Sequence, residues 1–262
     1  MEPGPQVSLS EFHEWYDSEH VPLRIQRFAS FRSATRYAVT STELTPSLPT
    51  EQVPIPPPSS WGAFYTISNN DTFAHVSYTS LRTQRSAREA ELFTRLSIID
   101  RRIYRLEYDS DLDANISVPR IKLALDVQTE ADTPLYIVAN SVDMQPSAKH
   151  EYDDWFENEH VPMLSKVPGW RRSRRFTLID NGVNGKDARP GMHEGVPKCL
   201  GLHEWDEAPE QKAEYKQACN TAWRRTVLGD SDQNLIRRER KTCTLYRSWD
   251  PIAAIHAQAK QH

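Results

Sequence analysis

The chain has 262 residues, 38% of them hydrophobic, with a net charge of −4 and a pI near 6.2. That is length for one large or two ordinary domains, and the slightly acidic balance argues against a nucleic-acid partner, although Arg171–Arg175 and Arg237–Lys241 are locally basic. No apolar run reaches the roughly 18 residues of a membrane helix and no signal-peptide pattern opens the chain, so the expectation is a cytoplasmic protein with no membrane partner.

From the N-terminus, Ser8-Leu-Ser-Glu11 reads as a capping box opening a helix over about 9–20. Within it, Phe12, Trp15 and Tyr16 share one face, and Glu19-His20-Val21-Pro22 follows. Proline at 22 should push Val21 out of the α region and stop or kink the helix, leaving His20 at its end. Thr35–Val39 reads as a strand. The Pro-rich stretch 45–60 reads as a loop or flap, Trp61–Ile67 as a second strand, Ser86–Leu96 as a helix with Ala90, Phe93 and Leu96 inward, and Ile103–Tyr108 as a third strand.

The second half repeats the order with a strand, Leu135–Val142, in front. A helix over about 147–160 contains Tyr152, Trp155 and Phe156, then Glu159-His160-Val161-Pro162, a second copy of the first motif at the same spacing. Strands follow at 172–178 and 200–205, then a helix with Tyr215, Ala218, Cys219, Ala222, Trp223 and Val227 on one face, entered by Pro209 and stopped by Gly229, and a last strand at 242–246. The predicted class is α+β: two ferredoxin-like βαββαβ units, residues 1–128 and 129–262. The first unit lacks its own first strand, since Met1 aligns with Met144. Arg120–Val127, with Ile121, Leu123, Leu125 and Val127 alternating, is the predicted replacement, which makes the first unit circularly permuted.

The doubled W-[YF]-x-x-E-H-V-P-[LM] motif, each copy on the first helix of a βαββαβ unit, resembles the EthD-like members of the dimeric α/β-barrel superfamily, in particular fungal proteins with two such units. The resemblance covers nearly the whole chain; the missing strand and the Pro-rich insertion depart from it. It implies a pseudo-dimeric barrel and cofactor-free chemistry on small aromatic or polyketide-like compounds in secondary metabolism: a lyase, isomerase or cyclase. The alternatives are a non-catalytic small-molecule-binding or stress-related protein and a cofactor-free monooxygenase.

Among the residues themselves, His20 and His160 suit acid or base work, or else cap carbonyls as helix-end histidines do. Aligning Gly62 with Gly201 sets His203 against Phe64 and Glu204 against Tyr65, which suggests a pocket with polar chemistry in one half while the other mainly packs, with His203 or Glu204 as partners; a buried, satisfied His203 is the alternative. Arg36 and Arg175, at equivalent strand positions, would hold an anionic substrate if they face inward and would be solvated charges otherwise. Tyr37 and Tyr65 are further candidate contacts. Trp15 and Trp155 are either substrate contacts or core anchors between helix and sheet. Cys199, Cys219 and Cys243 are scattered, without C-x-x-C, and predict reduced thiols and no metal site. Nucleotide-binding, zinc-protease and serine-hydrolase motifs are missing, and no haem axial-ligand signature stands out, so no cofactor is expected and the partner is a small-molecule substrate. The assembly expected is a monomer with pseudo-twofold symmetry or a homodimer.

Overall fold

The computed structural model of the chain describes residues 1–45, 53–114, 116, 133–229 and 232–249. Ser8 sits in extended backbone and its Oγ accepts from the Glu11 N–H at 3.1 Å, opening α1 (Leu9–Trp15). The helix does not stop at Pro22. Residues 16–20 form a π turn, Val21 stays helical (φ −71, ψ −52) with its N–H bonded to the Tyr16 carbonyl, and α2 (Val21–Arg27) continues. The wider turn leaves Pro22 in the first turn of α2, where its missing N–H is tolerated. His20 is therefore inside a helix, not at its end.

Next come β1 (Phe31–Thr45), β2 (Trp61–Ile67), α3 (Val76–Thr79), α4 (Ala87–Arg95) and β3 (Ile99–Asp109). The second half runs β4 (Tyr136–Met144), α5 (Lys149–Trp155), α6 (Val161–Leu164), β5 (Trp170–Asn184), β6 (Cys199–Trp205), α7 (Ala213–Ala218), α8 (Ala222–Leu228) and β7 (Leu235–Trp249). Another π turn, Phe156–His160, joins α5 to α6 around Pro162, so His160 too lies within a helix. The single helix expected before Gly229 is two, because Thr221 turns extended and its hydroxyl caps the Arg224 N–H. Gly229, at φ +77, ends α8 as expected. Short helical turns at 70–82, capped by Asn69 and His75, were not expected; they carry little apolar periodicity.

The strands form one curled antiparallel sheet in the order β2-β1-β7-β4-β6-β5-β3. Strands β1, β5 and β7 are each 15 residues, far longer than their apolar stretches, because their polar ends find ladder partners on both neighbours or on one. Three cores follow from the alternation of side chains. Phe12, Trp15, Val21, Leu92 and Leu96 fill the layer between the first helices and the sheet. Tyr152, Trp155, Phe156, Val161 and Trp205 do the same in the second half. Tyr37, Ile137, Leu200, Leu202 and Cys243 fill the inside of the curl.

Both edges of the sheet, β2 and β3, belong to the first half. Among the described residues no strand lies between them, and only Met1 and Glu2 bridge the gap, at one end. The Met1 carbonyl accepts from the Trp61 N–H at 3.2 Å, and Glu2 exchanges backbone bonds with Ile98 at 2.9 and 3.1 Å. The strand expected over 120–127 lies outside the described residues.

Candidate functional site

The motif places its residues by two contacts that recur in each half. Its glutamate accepts from the hydroxyl that caps a later helix: Glu19 from Ser86 Oγ and Glu159 from Thr221 Oγ1, both at 2.5 Å. Its first acid receives a strand arginine, Asp17 from Arg36 and Glu157 from Arg175. These two arginines face the helices, not the interior of the curl, and they are buried in ion pairs rather than solvated. Arg36 is 1% exposed, packed over Tyr16 at 4.3 Å and also bonded to His13. Arg175 also meets Asp153 at 2.6 Å. Trp15 and Trp155 are buried core anchors, and the Trp155 indole donates to Glu159 at 2.9 Å.

The expected match of His203 to Phe64 and of Glu204 to Tyr65 is corrected by the register. Arg36 pairs with Ala63, and Arg175 with Gly201. Tyr65 is thus the counterpart of His203, and the alignment on Gly62 and Gly201 is one residue out. A slip of one residue sends every side chain to the opposite face. His203 faces the helices, accepting or donating to Ser173 Oγ at 2.8 Å and lying edge-on to His160 with ring centres 5.3 Å apart. Glu204 lines the curl and is paired with Arg174. Tyr37 is interior, its hydroxyl donating to the Pro134 carbonyl at 3.0 Å.

The two motif histidines diverge. His160 stacks on Trp155 with ring centres 4.5 Å apart, its Nδ1 has no hydrogen-bond partner, and burial pushes its pKa down to about 4. His20 instead meets a carboxylate: Nδ1 lies 3.1 Å from Glu89 Oε1 on α4, and both side chains are buried. Burial holds the His20 pKa well below its ordinary value, and Arg24, Arg36 and Arg85 push the same way. Burial raises the Glu89 pKa, while Arg24 and Arg85 oppose that rise. The imidazole is therefore neutral. With the Glu89 carboxylate accepting from Nδ1–H, the lone pair sits on Nε2, the arrangement of an oriented general base.

His20 and Glu89 line a cavity of about 1250 Å³; His160 and His203 do not. Its walls include Tyr16, Tyr65 and Phe93 on the helix side, residues of β2 and β3, and Tyr37, Leu202 and Glu204 inside the curl. Burial raises the pKa of both Tyr16 and Tyr65, which keeps their hydroxyls protonated as donors. Of the residues expected from sequence, His20, Tyr37, Tyr65 and Glu204 meet at this cavity; Trp15, Arg36, Trp155, His160, Arg175 and His203 do not.

Glu89 was missed, although a signal existed. It stands at i relative to Leu92, Phe93 and Leu96 at i+3, i+4 and i+7, and a carboxylate on the inward stripe of a short amphipathic helix needs a partner there. Among the described residues no cluster of His, Cys, Asp and Glu could hold a metal ion, and the three thiols are free. No described helix is long and apolar enough to cross a membrane.

No family model matches the chain, and no curated protein matches it. Among solved structures, it is similar to an anthrone oxidase-like protein at 11% identity, over 96% of each chain, with a TM-score of 0.47. It is also similar to a protein from Lactobacillus acidophilus NCFM described as a putative monooxygenase, at 8% identity over 94% of this chain and 92% of that one, with a TM-score of 0.39.

Proposed function

We propose that this protein is a cofactor-independent enzyme, a lyase or isomerase, that moves a proton on a small aromatic or polyketide-like compound held in the cavity beside His20. The observation that carries this reading is the buried His20–Glu89 pair lining a large, aromatic-walled cavity. A neutral imidazole with its proton tied to a carboxylate can take a proton at Nε2 from an acidic carbon or a phenol, and Glu89 stabilises the imidazolium so formed. Oxygen charge developing on the substrate would be met by the Tyr16 and Tyr65 hydroxyls, which burial keeps protonated. Returning the proton to another atom completes an isomerisation with no further reactant. In a decarboxylation the broken C–C bond leaves its pair on the conjugated carbonyl, and the proton is returned to carbon. Residues 1–128 and 129–262 are read as two related units, supported by the recurring Glu-to-cap and Arg-to-acid contacts, with the site in the first.

The test is proton exchange in heavy water on hydroxylated naphthoic and β-keto aromatic acids, followed by NMR together with carbon dioxide release. Wild type should exchange or decarboxylate at least one of them, and His20→Gln and Glu89→Gln should each slow it about 100-fold. Binding without exchange or release would replace the enzyme by a small-molecule-binding protein. Exchange untouched by both substitutions would remove His20 from the chemistry.

A further inference from the structure

Charge is spread unevenly around the cavity. Eight cationic side chains line it against four carboxylates, in a chain whose net charge is −4. Five of the eight are matched by a carboxylate: Arg101 by Asp180, Arg102 by Asp100 and Glu239, Arg105 by Glu107, Arg174 by Glu204, and Lys241 by Glu239. The other three, Arg24, Arg82 and Arg85, have no carboxylate partner among the described residues. Arg24 gives Nη1 to the His20 carbonyl at 2.6 Å, and Arg85 lies over the Phe93 ring at 4.3 Å. Arg24 stands on α2 and the exposed Arg82 and Arg85 in the segment leading into α4; Arg24 and Arg85 are near enough to His20 and Glu89 to shift the pKa of both.

We infer that Arg24, Arg82 and Arg85 form the subsite for a carboxylate on the ligand, whose aromatic body lies against Tyr16, Tyr65 and Phe93. This rests on the cavity's being the ligand site, as proposed above. A carboxylate there meets guanidinium groups that no described acid holds in an ion pair, since Arg24 and Arg85 act on Glu89 only through their field. The interior cations cannot serve as well, since each would have to give up its own acid first. Placing the carboxylate on the arginines sets the ring system beside His20, where a proton on the carbon or hydroxyl next to the carboxylate is the one within reach.

Calorimetry with 1-hydroxy-2-naphthoate and its neutral primary amide, at low and high salt, tests this. The acid should bind at least tenfold more tightly than the amide, and its advantage should shrink as salt rises. Arg24→Gln and Arg85→Gln should each weaken the acid about tenfold and leave the amide unchanged; Arg82→Gln should act in the same direction, less strongly. Arg101→Gln, whose arginine faces the same cavity but is paired with Asp180, should alter neither. Because Arg24 also supports the His20 carbonyl, Arg24→Lys, which keeps charge and donor, should restore folding and most of the affinity if Arg24→Gln misfolds, and Arg85→Gln tests the subsite independently. Equal binding of acid and amide overturns the subsite while leaving the cavity a ligand site; binding of neither overturns both. Tighter, Arg85-dependent binding of 1-naphthyl phosphate than of the acid overturns the carboxylate assignment in favour of a phosphate monoester.

Discussion

The two motif histidines occupy the same kind of π turn, beside the same Trp, next to a Glu that clamps the same kind of cap hydroxyl, and yet they are set up for different work. His160 is walled in by Trp155, Phe156 and His203, with no acid at its ring. His20 has Glu89 at its ring and a cavity beside it. Strand β4 pairs with β6 and β7 in the second half, while in the first half no described strand lies between β2 and β3. The motif is thus a scaffold for joining helix to sheet. What stands beside its histidine differs: a carboxylate at 89 and the cavity in the first half, a paired strand and a second histidine in the other.

The largest effect expected is structural and separates the two strand arginines. Arg36→Ala would empty a buried site ringed by Phe12, Tyr16, Trp61 and Tyr246 and leave Asp17 only its longer bonds to Arg247 at 3.2 Å and Tyr246 at 3.3 Å, and should cost about 3–5 kcal/mol in urea unfolding. Arg175→Ala, whose acids Asp153 and Glu157 are 27% and 37% exposed, should cost about 1–3 kcal/mol. Equal losses would mean the two layers are equally sealed. Next, His20→Gln should lower turnover about 100-fold while His160→Gln leaves it within about threefold, with both thermal midpoints within a few degrees of wild type. The reverse order would move the chemistry to the second half.

pH sharpens the same contrast. His20, His160 and His203 all have folded-state pKa values below the ordinary histidine value, His160 at about 4. Below pH 6.5 the unfolded chain binds protons that the folded chain refuses, so stability is full above that value and falls as pH drops toward about 4. Removing His160 by His160→Gln should flatten this fall in a pH series of unfolding midpoints; an unchanged slope would mean His160 is protonated in the fold. Smallest of all, Ser86→Ala and Thr221→Ala each delete one cap and one bond to the motif glutamate and should each cost about 1 kcal/mol. A clear difference between them in chemical unfolding would break the equivalence of the two clamps.

Much of the fold was legible because it rests on local signals. Ser8, Gly229 and the aromatic spacing 12, 15 and 16 mark helix ends and faces by backbone chemistry and periodicity that need no distant partner. Strand β6 was marked within a residue by its apolar run, whereas β1, β5 and β7 outran theirs because ladder bonds form between any residues and leave no mark on composition. The site was legible only in part. His20 stood out by its repetition, but the same repetition pointed equally to His160, and the face that Arg36 and Arg175 present was left open because a strand residue's face depends on a register that bulges can shift.

By itself the sequence determined that an α+β chain would form with two equivalent helices carrying Trp, Glu and His at matched positions, since amphipathic spacing, caps and strand alternation act within a few residues of one another. The tertiary structure alone decided that proline would not break those helices, that Tyr65 and not Phe64 faces the counterpart of His203's layer, and that Glu89, 69 residues away, meets His20. Each of these depends on which atoms the folded chain brings within a few ångströms across long separations, and desolvation and pairing energies are set by that proximity rather than by order along the chain.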